Sequence, residues 1–261
     1  MSPARLAVAG WLLLLACAGP RAVPLPEGDP RPSALLAAFA QQVESRSALR
    51  GSARLAVDAA SGKGVAPVRL RARQTLVLER PASLRIEVQG MLGATLAVLA
   101  TDGSEYAFFE TGSRHFESGP LTPDLLRRVA GLELQPDDVV AALLGGPRLP
   151  PDLELRAAYA DAEGGVQVEL EGDAGSSRAL RFDAAGQLRE WIARDPDRAA
   201  WSATYDDYAD VSGQALAHRV SIDTGSARAV LQLSNVELNP PLPADIFRLD
   251  GLAARSDAEG G

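Results

Sequence analysis

Reactive chemistry is scarce in this chain. Cys17 is the only cysteine among 261 residues, so no disulfide can form within it. Histidine occurs only at positions 115 and 218. His115 and Glu117 would share one strand face, but no third ligand is evident, so no metal site is expected. Neither a Gly-x-Ser-x-Gly nucleophile elbow nor a Gly-x-x-x-x-Gly-Lys phosphate loop is present. The run Tyr205-Asp206-Asp207-Tyr208, with Asp210, lacks calcium-loop spacing and reads as a polar strand edge. These absences predict a protein that is not an enzyme and carries no cofactor. Lysine is nearly missing too, with Lys63 alone. A formal net charge of -8 argues against nucleic acid as a partner, because phosphate binding relies on clustered Lys and Arg. Beyond the N-terminus, no apolar run is long enough to cross a membrane.

What is present begins at the N-terminus. Arg5 precedes an apolar run from Leu6 to Leu15. A bilayer span needs roughly 20 residues, and the run is only as long as a signal-peptide core. It ends in Leu14-Leu15-Ala16-Cys17, which resembles the lipobox of bacterial lipoproteins. The resemblance implies removal of residues 1–16 and a diacylglycerol on the Cys17 sulfur. The alternative is an ordinary secretory signal with an incidental cysteine. Ala18, where an Asp would retain such a protein in the inner membrane, implies an outer-membrane destination facing the periplasm. Pro20, Pro24, Pro26, Pro30 and Pro32 make residues 17–33 an expected extended tether.

Hydrophobic residues make up 46% of the chain, enough for a sizeable core. Ser33 is the expected N-cap of a helix ending near Ser47, with Leu35, Leu36, Phe39 and Val43 on one face. Strand patterns follow, clearest where Leu84, Ile86 and Val88 alternate with Arg85, Glu87 and Gln89. Asp102-Gly103 marks a hairpin turn. Two short helices interrupt the strands, one opened by Thr122-Pro123-Asp124 and one by Gln135-Pro136-Asp137-Asp138, the second stopped by Gly145-Gly146-Pro147. Strand patterns with glycine turns then run to Leu238, and residues 251–261 form an expected frayed tail. The predicted fold is mainly β with a few helices (α+β). A curved antiparallel sheet forms a half-open β-barrel over 34–250, capped by the N-terminal helix and the two inserted helices.

This order of elements resembles the LolA and LolB superfamily, the periplasmic carrier and outer-membrane receptor for lipoproteins. Three segments carry the likeness: Leu84 to Leu99 around Gly90-Met91-Leu92-Gly93, Leu125 to Gly146, and Asn239-Pro240-Pro241 to Phe247. The resemblance is closest to LolB and extends to uncharacterised lipoproteins of the same fold. It implies acyl-chain binding in an apolar cavity, lipoprotein localisation, a LolA-like carrier as partner, and membrane contact through the N-terminal lipid. The candidate lipid-binding wall is Leu84, Ile86, Val88, Leu125, Val129, Val140 and Leu143, for which ordinary core packing is the alternative. Met91 and Leu92, between glycines, are either an exposed membrane or partner loop or a buried bend. Leu92 would match the protruding leucine of LolB, although Met91 stands where LolB often has Pro. A structural or regulatory envelope lipoprotein that binds protein is the alternative function.

Overall fold

The structure, a computed structural model, describes residues 22–59, 68–90 and 92–248. Cys17, Met91 and the C-terminal tail lie outside the described residues. The chain begins with a two-residue strand, β1 (Val23–Pro24), and helix α1 (Pro30–Glu44). Six strands follow: β2 (Ala48–Ala59), β3 (Val68–Glu79), β4 (Ser83–Gln89), β5 (Thr95–Thr101), β6 (Glu105–Glu110) and β7 (His115–Pro120). After the helices α2 (Leu125–Ala130) and α3 (Pro136–Leu143) come β8 (Glu154–Ala160), β9 (Val166–Glu171), β10 (Ser177–Phe182), β11 (Leu188–Asp195), β12 (Arg198–Val211), β13 (Gln214–Asp223) and β14 (Ala227–Leu238).

All the strands join one curved, unclosed antiparallel sheet of 14 strands, ordered β1-β8-β9-β10-β11-β12-β13-β14-β2-β3-β4-β5-β6-β7. Each half of the chain is a meander, because strands joined by short turns pair with their sequence neighbours. The two meanders meet at a long seam, where β14 pairs with β2 from Ala227↔Ala59 to Leu238↔Leu49, and β1 adds to the far edge at β8. Asn239 latches the end of this seam. Its side-chain oxygen accepts from the backbone N–H of Ser47 at 2.9 Å and of Ala48 at 3.2 Å. Its amide nitrogen donates to the Ser45 carbonyl at 2.8 Å.

Period-two patterning decides which face each strand buries. In β2, Leu49, Ala53 and Val57 are buried while Arg50, Arg54 and Asp58 are exposed. The buried set continues inward through Leu76, Leu78, Leu84, Val168, Leu180, Trp191, Tyr205, Val220 and Leu231 to form the main core. The helices cover this inner face. Phe39 of α1 packs edge-on to Phe182, at 6.1 Å between centroids, and stacks with Trp191 at 6.3 Å. Helix α3 contacts both β4 and β13, so it lies across the curl of the sheet.

Four details differ from the sequence reading. The N-cap of α1 is Asp29, whose carboxylate accepts from Arg31 N, and not Ser33. Pro30 and Pro32 therefore sit in the first helical turn, where their missing N–H groups cost nothing. The second half of the expected tether is thus ordered: β1 pairs with β8, and the helix begins at Pro30 and ends at Glu44. Helix α2 starts one residue after Asp124, leaving Thr122 and Pro123 outside it. The Tyr205–Tyr208 run is no sheet edge, because β12 is paired with β11 and β13 and Tyr205 is fully buried. The acidic side chains face outward from an interior strand; the sheet's edges are β1 and β7.

Candidate functional site

The lid is held at both ends by arginine. At the C-terminal end of α3, the last carbonyls need donors. The backbone N–H groups of Leu144, Gly145 and Gly146 serve Val140, Ala142 and Ala141, and Arg46, 1% exposed, joins the C-cap to β13, with Nη1 3.5 Å from the Leu144 carbonyl and Nη2 2.6 Å from that of Ala215. Its Nε donates to Gln214 at 3.1 Å. Arg80 extends the clamp, donating from Nε to the Arg46 carbonyl at 2.9 Å and from Nη2 to the Gly146 carbonyl at 2.8 Å. Burial pulls the Arg46 pKa down from its ordinary value. Burial, aided by the nearby Arg148 charge, brings Arg80 down to about 10. Glycine is required where the chain leaves α3. Gly146 has φ +133°, and a Cβ there would lie 2.6 Å from the Phe39 ring.

At the N-terminal end, Gln135 and Asp138 form a capping box. Asp138 also contacts Arg198 of β12. Burial raises the Asp138 pKa to about 6, the neighbouring Asp137 adds to the rise, and Arg198 opposes it. Helix α2 docks separately through Arg128, which donates to Glu117 at 2.7 Å and to the Tyr106 hydroxyl at 3.0 Å. Hydrogen bonds from Tyr106 and Arg128 hold the Glu117 pKa down to about 2. His115 lies 3.7 Å from that same carboxylate. Among the described residues, no group of three or more His, Cys, Asp or Glu side chains could hold a metal ion.

Six of the seven candidate wall residues share the packed core under this lid, and Val88 is not among them. Leu84, Leu125 and Val140 are 0% exposed and Leu143 is 1% exposed. Ile86 and Val129 are half-buried against the same core, and Val88 is half-buried at the end of β4. A cleft of about 300 Å³ between lid and sheet has a charged rim, with Arg80, Arg148, Asp138 and Arg198 lining it alongside Trp191 and Trp201. None of the seven wall residues lines it. The indole N–H of Trp191, the Tyr205 hydroxyl and the Gln74 side-chain carbonyl are buried without a hydrogen-bond partner among the described residues. Sequence reasoning missed Arg46 and Arg80 and read Asp138 only as part of a helix start, because charged residues ordinarily mark solvent-facing positions.

The β4–β5 hairpin tip is the second element of the site. Gly90 N–H donates to the Ala94 carbonyl at 2.8 Å, and Gly93 turns the chain at φ +81°. This tight closure leaves Leu92 98% exposed and Leu96 50% exposed. Among the described residues, no helix is long and apolar enough to cross a membrane.

A curled antiparallel sheet roofed by helices is the LolA-like fold, and solved structures bear this out. A LolA superfamily protein from Nitrosomonas europaea superposes with a TM-score of 0.55 at 12% identity, over 83% of this chain and 98% of that one. A DUF1329 family protein from Desulfovibrio piger gives 0.54 at 10% identity, over 86% and 99%. A Vibrio parahaemolyticus domain described as an outer membrane lipoprotein-sorting protein gives 0.51 at 11% identity, over 82% and 97%. At these identities the likeness is one of fold. No protein-family model matches the chain, and neither does any curated protein sequence.

Proposed function

We propose that the protein is a membrane-anchored lipoprotein that binds acyl chains between sheet and lid and takes part in lipoprotein localisation to the outer membrane. In this reading Cys17 carries the lipid anchor, and the residues between it and β1 link it to the folded domain. A soluble LolA-like carrier would be the donor. The observation that carries the reading is Leu92, a leucine almost fully in water at the tip of the β4–β5 hairpin. Exposing one side chain of this kind forgoes about 2 kcal/mol of burial, which contact with lipid or an apolar partner would recover. The apolar wall supports the acyl-chain part of the reading. An acyl chain gains about 0.8 kcal/mol per buried CH₂, and α3 would have to lift from β4 to admit it. Transfer from a purified carrier–lipoprotein complex to vesicles measures the role directly. Leu92→Glu should abolish transfer while leaving the fold intact, and transfer at the wild-type rate would refute the role of the loop.

The packed wall favours a second reading, a structural or regulatory envelope lipoprotein that binds protein. Mass spectrometry of the purified chain separates the two. Copurifying lipid supports the first reading, and its repeated absence supports the second.

A further inference from the structure

The sheet face opposite the helices carries an arrangement that the lid does not use. Register pairing aligns Arg219 of β13, Gln232 of β14, Arg54 of β2, Arg73 of β3 and Gln89 of β4 in one row. With Arg71 and Asp58 beside them, these residues line a groove of about 870 Å³. Strands lie roughly 4.8 Å apart, so the three arginines of the row span about 15 Å. Arg71 is engaged by Asp58 at 3.2 Å. Among the described residues, the guanidinium groups of Arg54, Arg73 and Arg219 make no hydrogen bond and no ion pair. Asp206 is the register partner of Arg219 but does not pair with it, and Gln232 reaches Asp207 only at 3.4 Å.

Two features make this more than a solvated face. Arg54 and Arg73 are directly opposite one another on adjacent strands, an arrangement of like charges that destabilises a sheet. The groove also holds four arginines against one aspartate in a chain whose net charge is -8. Guanidinium forks match the paired oxygens of a phosphate, and the amides of Gln89 and Gln232 add neutral donors. One end of the groove is Gly90, the root of the hairpin that exposes Leu92 and Leu96. An apolar prong beside a basic groove fits a bilayer surface, where acyl chains and phosphates lie within a few ångströms of each other.

We propose that the groove seats the phosphate of an anionic phospholipid headgroup, fixing the orientation in which the hairpin meets the membrane. The orientation rests on the membrane role of Leu92, whereas phosphate binding does not. The test uses the full chain in non-ionic detergent micelles doped with phosphatidylglycerol or phosphatidylcholine, or given inorganic phosphate alone. Binding is read from the Nε–Hε NMR signals of Arg54, Arg73 and Arg219. Those signals should shift and saturate with phosphatidylglycerol and stay put with phosphatidylcholine. In Arg54→Gln/Arg73→Gln, the Arg219 signal should need roughly tenfold more phosphatidylglycerol, as expected for the loss of charge-assisted hydrogen bonds. A shift that persists in Leu92→Glu supports the groove even if the hairpin role fails. Loss of the shift in Leu92→Glu, together with an unchanged titration in the double arginine variant, overturns the proposal. An equal response to inorganic phosphate marks a soluble-anion site and also overturns it, as does no response to any of the three.

Discussion

The two faces of the sheet use arginine in opposite ways. On the inner side, Arg46 is buried and Arg80 half-buried, and their hydrogen bonds tie down the end of α3. On the outer side, Arg54, Arg73 and Arg219 stand exposed without partners among the described residues. A buried guanidinium has to exchange its water for carbonyls and amides, whereas an exposed one keeps its hydration and stays available. The difference separates structural charge from charge that a ligand can reach.

The comparison breaks most visibly at Arg46. Arg46→Ala removes the side-chain donor of the Leu144 carbonyl, leaves that of Ala215 to Gln42 alone and opens a cavity at the end of the lid, and it should cost about 4 kcal/mol in urea unfolding. A change near zero would mean that the lid is not clamped there. The second test is the other end of α3. Because the Asp138 pKa is raised from 3.8 to about 6, the folded chain holds a proton that the unfolded chain has already released between those values. Its contribution is full below the unfolded pKa and is lost as pH rises through about 6. The stability difference attributable to Asp138 should be about 3 kcal/mol across that window. Asp138→Asn should flatten this segment of the profile, and an unchanged slope would assign it elsewhere. The smallest effect belongs to the outer face. Arg54→Glu turns a repulsive cross-strand pair with Arg73 into an attractive one and should stabilise the chain by about 0.5 kcal/mol. Destabilisation by that substitution would show that the row is already neutralised.

Local periodicity made much of the fold legible. Alternation at Leu84, Ile86 and Val88 marks β4, and Gln135-Pro136 with Asp138 marks the start of α3. Prolines misled the reading at Pro30 and Pro32, since the same residue breaks a helix interior and suits a helix start. The Tyr205–Tyr208 run looked like an edge because acidic residues signal exposure, and exposure of one strand face says nothing about lateral pairing. The arginine row was invisible for a related reason. Arg54 and Arg219 become neighbours only through β14, and that pairing is set by strand order far along the chain. Leu92 could be singled out but not placed, because a glycine-flanked apolar pair is compatible with either a buried bend or a protruding tip.

The β14–β2 seam bears on the order in which the molecule assembles. A chain made from its N-terminus completes the β2–β7 meander while β2 still waits for a neighbour on its free side. That neighbour is the last strand of the sheet, and Asn239, the latch, follows it directly. Closing so long a loop is entropically slow, so the sheet becomes continuous only at the final step. Until then β2 presents an open edge able to pair with another copy of the chain, and the interval before β14 arrives is when the protein most needs to be kept apart from itself.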